Sequence, residues 1–194
     1  MNTKLKKNNA GVTLAELIAT FALTGIFLVS TTAIISSSVL RHSQLTGTMY
    51  AQSVGETLLD KITGELVAAK PVSGDAMIVG NVLKEGESVG NGVSFYGKDG
   101  NRACFFVEDG LLVLQSEDIW QLEQKAYMGY QLSDLQVNRL NDQNVFEVVI
   151  KLKNLKTGFE YTASKVVRCF NFKTEEDFAK ISEGNISLNT ILTE

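Results

Sequence analysis

Proline is almost missing from this chain. Of 194 residues only Pro71 is one, where average usage of ~5% would give about ten. Cysteine is nearly as scarce: Cys104 and Cys169 are too few for a disulfide-rich scaffold or a four-thiolate zinc site. The single histidine, His42, has no supporting motif for a Ser-His-Asp arrangement and reads as a polar boundary residue. Basic residues are not in excess. Eighteen Lys and Arg against 22 Asp and Glu give a net charge of −4, which argues against a general nucleic-acid binder. The chain is 44% hydrophobic and 21% charged, too ordinary for wholesale disorder. Its length suits one domain, or one domain with an appendage.

Averages conceal an asymmetry. Before Glu16 the only charged side chains are Lys4, Lys6 and Lys7. From Leu17 to Leu40 there are 24 residues without a charge, 15 of them Ala, Val, Ile, Leu or Phe and eight of them Ser or Thr. As a helix this run would be about 36 Å long, enough to cross a ~30 Å hydrocarbon core with some tilt. Arg41 and His42 close it. The mean hydropathy of +0.05 is therefore a local property of this segment.

A secretory signal has a shorter apolar stretch and a small-residue cleavage site, and neither is found here. A plain anchor fits the length, with the lysines kept cytoplasmic by the positive-inside rule. It does not explain Glu16. A carboxylate at the centre of a bilayer costs ~2.5 kcal/mol or more, less near the interface, so it calls for a partner.

The run Lys6-Lys7-Asn8-Asn9-Ala10-Gly11-Val12-Thr13-Leu14-Ala15-Glu16 resembles the leader and mature start of type IV pilins and pseudopilins. The resemblance covers roughly residues 4–45. It implies a leader over 1–11, cleavage between Gly11 and Val12 by a membrane prepilin peptidase, and N-methylation of Val12 by the same enzyme. Glu16 then becomes the fifth residue of the mature chain. Val12 stands where the family most often has Phe. Ala33 stands where many major pilins have Pro, which points towards a minor pilin or pseudopilin. Gly25 falls where pilins often carry a glycine that lets the helix loosen in the filament.

The motif also has a physical logic. Removing three lysines takes the net charge from −4 to −7 and leaves a cationic amine at Val12. In a helix bundle with little water, that amine and the Glu16 carboxylate each need compensation. A staggered neighbour would pair its Glu16 with the next subunit's Val12, setting axial register. Against this stands a Glu16 that is merely hydrated at the interface. Thr20, Thr24, Ser30, Thr31, Thr32, Ser36, Ser37 and Ser38 either bond between helices or back-bond to their own carbonyls.

Residues 12–40 are thus read as the membrane or filament-core half of one helix, and 41–70 as an amphipathic half. Ala51, Val54, Leu58, Ile62, Leu66 and Ala69 form an apolar stripe, with Gln52, Glu56, Asp60 and Glu65 elsewhere on the surface. Gly47, Gly55 and Gly64 weaken it by ~1 kcal/mol each. Lys70 and Pro71 end it. Unbroken from Val12 to Ala69, it would extend about 87 Å, and the scarcity of proline has this helix as its cause.

Residues 71–172 read as a β-rich head. Asp109-Gly110 divides Ala103–Glu108 from Leu111–Gln115 as a hairpin. Lys98-Asp99-Gly100-Asn101 does the same after Val93–Gly97. Three later strands, Tyr130–Arg139, Val145–Lys153 and Tyr161–Phe172, are split by Asn141–Asn144 and Lys156-Thr157-Gly158. Phe146, Val148, Ile150 and Leu152 alternate as on a half-buried antiparallel strand. The expected class is α+β, a long helix packed on an antiparallel sheet, and pilin heads share that plan. Residues 173–194 read as a C-terminal tail of mixed charge with no clear period, in which Thr174–Asp177 starts a short helix and the last residues are loose. The layout resembles the larger minor pilins and J-type pseudopilins.

No residue stands out as catalytic, cofactor-binding or metal-ligating, and no cofactor is expected. Glu108-Asp109, Glu117-Asp118 and Glu175–Asp177 lack metal-loop spacing. No glycine pattern matches a phosphate or dinucleotide loop. Cys104 and Cys169 are a disulfide candidate in an exported domain, with two buried thiols as the alternative. Trp120, Tyr127 and Tyr130 are either core or a contact surface.

The resemblance implies a prepilin-like subunit without catalysis, held first as a single-pass protein of the cytoplasmic membrane with its head outside. Its partners would be the peptidase/methyltransferase, the lipid bilayer, an ATPase-driven assembly platform and other pilin or pseudopilin subunits. It would end in a surface or envelope-spanning filament, a type IV pilus or a secretion or competence pseudopilus. Direct nucleic-acid binding is not expected. The rival is a membrane-anchored extracellular binding protein or enzyme with an uncleaved anchor.

Overall fold

The computed structural model describes residues 13–191 apart from 73 and 141–143. A single helix, α1 (Leu14–Ala68), occupies the first third of the described chain. Contacts divide the chain between Thr46 and Gly47, so the second, contact-rich unit takes the carboxyl half of α1 with it.

Within that unit the apolar stripe decides the packing. Ala51, Val54, Leu58, Ile62, Leu66 and Ala69 are all buried, as their spacing requires. Each fully buried Leu or Ile stabilises the fold by about 1.5–3 kcal/mol. Gln52, Glu56 and Asp60 remain exposed. Gly55 lies on the buried face for a steric reason. A Cβ there would stand 3.3 Å from a ring carbon of Tyr161 and 3.6 Å from Ala163 Cβ, so glycine lets the strand approach. The helix end is capped from far along the chain: Asn171 Nδ2 donates to the carbonyls of Ala68 and Ala69 at 3.1 and 3.0 Å. Two of the orphan carbonyls of a helix terminus are thereby satisfied. Lys70 N–H then bonds Tyr96 O at 2.9 Å, and Pro71 prevents further helix.

Two sheets pack on this helix segment among the described residues. The first contains β1 (Met77–Lys84), β2 (Glu87–Tyr96), β3 (Arg102–Glu108), β4 (Leu111–Gln115) and β5 (Ile119–Gln121), successive strands pairing antiparallel. The β3–β4 link is the expected Asp109-Gly110 turn, with φ of +52° and +76°, the mirror-image turn that suits strand twist. The second sheet is an antiparallel meander of β6 (Tyr130–Leu140), β7 (Val145–Asn154) and β8 (Glu160–Arg168). Phe146, Val148, Ile150 and Leu152 are fully buried along β7, while Lys151 and Lys153 are exposed. The arrangement is α+β.

Three departures from expectation have physical causes. The tail beyond Lys173 holds the short helix expected from Thr174 and, beyond it, further elements that no sequence period marks. It folds as α2 (Glu175–Ala179), β9 (Ile181–Glu183), β10 (Ile186–Ser187) and α3 (Leu188–Ile191), and both strands pair parallel with β1. Such pairing joins residues a hundred positions apart and leaves no local period. Second, β8 stops at Arg168 rather than running to Phe172, because Asn144 Nδ2 holds Cys169 O and Phe172 O at 2.8 Å each and bends the chain. Third, β1 and the first half of β2 form without a turn signal of the usual kind. Their turn, Glu85-Gly86, places a glutamate at φ +53°, where Asn or Asp is the usual signal.

Candidate functional site: the amino end of the long helix

Thr13-Leu14-Ala15-Glu16 builds its own helix start. Thr13 is the N-cap: its carbonyl accepts Leu17 N–H at 3.1 Å and its Oγ1 accepts Glu16 N–H at 3.3 Å. Glu16 reaches back, Oε2 accepting Thr13 N–H at 2.9 Å and Thr13 Oγ1–H at 3.0 Å. This reciprocal pair is a capping box, and its Thr-x-x-Glu signature is readable in the sequence. Glu16, which the resemblance assigns to register, thus also has a local capping role. Both bonds use Oε2. Among the described residues Oε1 accepts nothing, so a cation can approach it.

Gly11 and Val12, the residues assigned to cleavage and methylation, lie outside the described residues, as does the whole 1–11 leader.

From Leu14 to Leu40 nearly every side chain is exposed, including Phe21, Phe27 and Val29. By length and composition the helix is long and apolar enough to cross a membrane, and it is compatible with a single-pass anchor. Its hydroxyls do not disturb this. Thr20, Thr24, Ser30, Thr31 and Thr32 each donate to the carbonyl four residues back at 2.7–2.8 Å, and Ser37 to Ile34 O at 2.9 Å. Back-bonding, one of the two alternatives, therefore accounts for six of the eight.

The cysteine pair is corrected. Both are free and fully buried, but they belong to different clusters. Alternation along β3 turns Ala103 and Phe105 to the main core, and Cys104 and Phe106 to a second cluster with Val82, Val113, Ile186 and Ile191. Cys169 sits in the main core beside Phe172. Burial pushes each thiol up to about 12, the behaviour of packing residues rather than nucleophiles. Tyr127 and Tyr130 are core, their hydroxyls bonded to Leu112 N–H at 2.7 Å and to Gly47 O at 2.8 Å. Trp120 is half-buried under the Lys61 ammonium, 5.0 Å from its ring centre. His42 is exposed.

No group of three His, Cys, Asp or Glu comes together among the described residues. Glu175–Asp177 instead form the first turn of α2, where Thr174 and Asp177 make a second capping box. Comparison with family models, curated proteins and solved structures finds no match to this chain.

Proposed function

We propose that the chain is a prepilin-like subunit of the minor pilin or pseudopilin type. In this reading its leader is cut between Gly11 and Val12, Val12 is N-methylated, and the subunit joins a filament through its amino-terminal helix. The observation that carries the reading is one constellation. A basic stretch ends in Gly11, and five residues later an acid, Glu16, stands in the first turn of a helix of membrane-crossing length.

The chemistry belongs to the partner peptidase, and this chain supplies positions. Before cleavage the helix lies across the cytoplasmic membrane with the head outside. Cleavage creates the Val12 amine next to the Thr13–Glu16 capping box. The carboxylate is held by Thr13 through Oε2 and offers Oε1 to a cation. In a staggered bundle that cation is the Val12 amine of a neighbouring subunit, and the apolar run supplies the bulk of the packing. Two opposite charges pair in an environment with little water, so the contact selects one register.

One observation favours the rival, an uncleaved anchor: the capping box alone gives Glu16 a structural use. Intact mass separates the two. Co-expressed with a prepilin peptidase, the chain is expected to lose residues 1–11 and gain one methyl group. Gly11→Ala is expected to block both events. Retention of residue 1 with active peptidase present overturns the proposal.

A further inference from the structure

The link between β7 and β8 is held firmly by its own polar groups. Lys156 N–H and Thr157 N–H donate to Asn154 Oδ1 at 2.9 Å each. Asn154 N–H bonds Phe159 O at 2.8 Å, and Gly158 N–H bonds Asn154 O at 2.9 Å. This fixed turn points two large apolar side chains at solvent: Leu155 is 58% and Phe159 44% exposed. It is tied to a neighbour, since Leu155 N–H donates to Gly129 O at 3.2 Å. There Met128 occupies a left-handed conformation, φ +52°, and is 49% exposed. Isolated exposed apolar residues need no explanation; three on two cross-linked turns do.

Their place on the head follows from three contacts that β8 and the segment just after it make with α1. Tyr161 packs at Gly55, Lys165 pairs with Asp60, and Asn171 caps Ala68. β8 therefore runs in the direction of the helix, and the turn before it lies at the amino end of the helix segment in the head. Tyr130, which pairs with Asn154, fixes that end by bonding Gly47 O. Gly47 follows Leu40, the last residue of the uncharged run, by seven positions. Even fully extended, seven residues span at most about 25 Å. Any bilayer crossed by the run therefore lies within a short tether of this end, and tethering raises the local concentration of lipid surface.

We propose that this end of the head is a foot that rests on the lipid surface, with Leu155, Phe159 and Met128 entering the interfacial layer while the subunit is held in the membrane. The proposal rests on the membrane-anchor part of the functional reading. Lys156 at the tip faces the headgroups. Lys125 and Lys153 are offset by Glu123 and Glu160, so apolar insertion carries the contact rather than charge.

The test uses the full chain in vesicles of equal parts phosphatidylcholine and phosphatidylglycerol. Cys104 and Cys169 are fully buried, so Leu155→Cys accepts an environment-sensitive dye selectively. The expected result is a blue shift, with loss of emission when the lipids are brominated near the headgroup. A dye at Lys98→Cys, which lies beyond the carboxyl end of α1 where Lys70 bonds Lys98 O, should show neither. Adding Phe159→Ser should reduce the shift at Leu155→Cys. A third reporter at Ala33→Cys reads the anchor itself through deeply brominated lipids. Quenching at Ala33→Cys without quenching at Leu155→Cys overturns the foot and leaves the anchor standing. No quenching at either overturns both. A shift at Leu155→Cys that ignores bromination but grows with protein-to-lipid ratio assigns the surface to a second copy, and the proposal falls.

Discussion

Glu16 has two candidate uses, and one substitution separates them. The capping box needs an acceptor oxygen at this position, which glutamine also has. Register needs a negative charge, which glutamine lacks. As a cap, Glu16 makes two bonds, to Thr13 N–H and to Thr13 Oγ1–H. Each is worth about 0.5–1.5 kcal/mol net, so Glu16→Ala costs the helix start about 1–3 kcal/mol and Glu16→Gln very little. As a register charge, its loss leaves a neighbour's amine unpaired where water is scarce, a cost of about 3–5 kcal/mol. At 1.4 kcal/mol per decade that is about 10²–10³-fold or more for each subunit added. The assay co-expresses the chain with its peptidase and assembly platform, verifies cleavage and methylation by intact mass, and measures sheared filament by sedimentation. Glu16→Ala and Glu16→Gln should both be processed, and both should fail to assemble. Thr13→Ala, which breaks the box but keeps the charge, should assemble within several-fold of the parent. Normal assembly of Glu16→Gln beside a failing Glu16→Ala would refute the register argument and leave only the cap.

Further expectations concern the head. Gly80→Ala should destabilise it by about 2–5 kcal/mol, because φ is +154° there and a Cβ would stand 2.1 Å from Gly184 O. Thermal unfolding in detergent measures this, with Gly64→Ala as the contrast: nothing crowds that position, and alanine should stabilise the helix by up to ~1 kcal/mol. The two thiols should give identical gel mobility with and without reductant. At pH 8 they should react about 10³-fold more slowly than a free cysteine, since burial raises both to about 12; rapid labelling of folded protein would contradict their placement. Asp177 accepts Lys173 N–H and Thr174 N–H at 3.0 and 3.1 Å, and these bonds hold its carboxyl below the usual range. A depressed folded value means the cap is present above the unfolded aspartate value and lost as pH falls through the folded one. The amides of Lys173 and Thr174 should therefore shift together with Asp177 below pH ~4 in an NMR titration. Independent titration would exclude the cap.

The sequence discloses what is local and hides what is distant. The stripe from Ala51 to Ala69 could be read because helical period alone determines which side is apolar, and all six residues are buried. β7 could be read because Phe146, Val148, Ile150 and Leu152 recur at every second position, with only Val149 apolar on the other side. β1 could not. Its middle is Gly80-Asn81, and Gly80 is there because the Gly184 backbone crosses at that point. The cause lies in a tail segment with no period of its own, paired parallel to β1. The cysteines fail as a pair for a related reason: one strand has two faces, and nothing in the spacing says that Cys104 looks away from the core that holds Cys169.

The amino-terminal site shows the limit from the other direction. In the proposed reading, Thr13-Leu14-Ala15-Glu16 meets two demands with the same four residues. Helix capping needs a hydroxyl at the boundary and an acceptor three positions on. Subunit register needs a charge one turn inside an otherwise uncharged run. The demands are compatible because a carboxylate has two oxygens, and the cap uses only Oε2. A capping glutamate is thereby already oriented, with its rotamer fixed before any partner arrives, and less side-chain freedom remains to be lost on pairing. In that reading Thr13 is a positioning residue for Glu16. If register is the function, Thr13→Ala should slow assembly modestly without abolishing it. If capping is the only function, Thr13→Ala and Glu16→Ala should be equivalent.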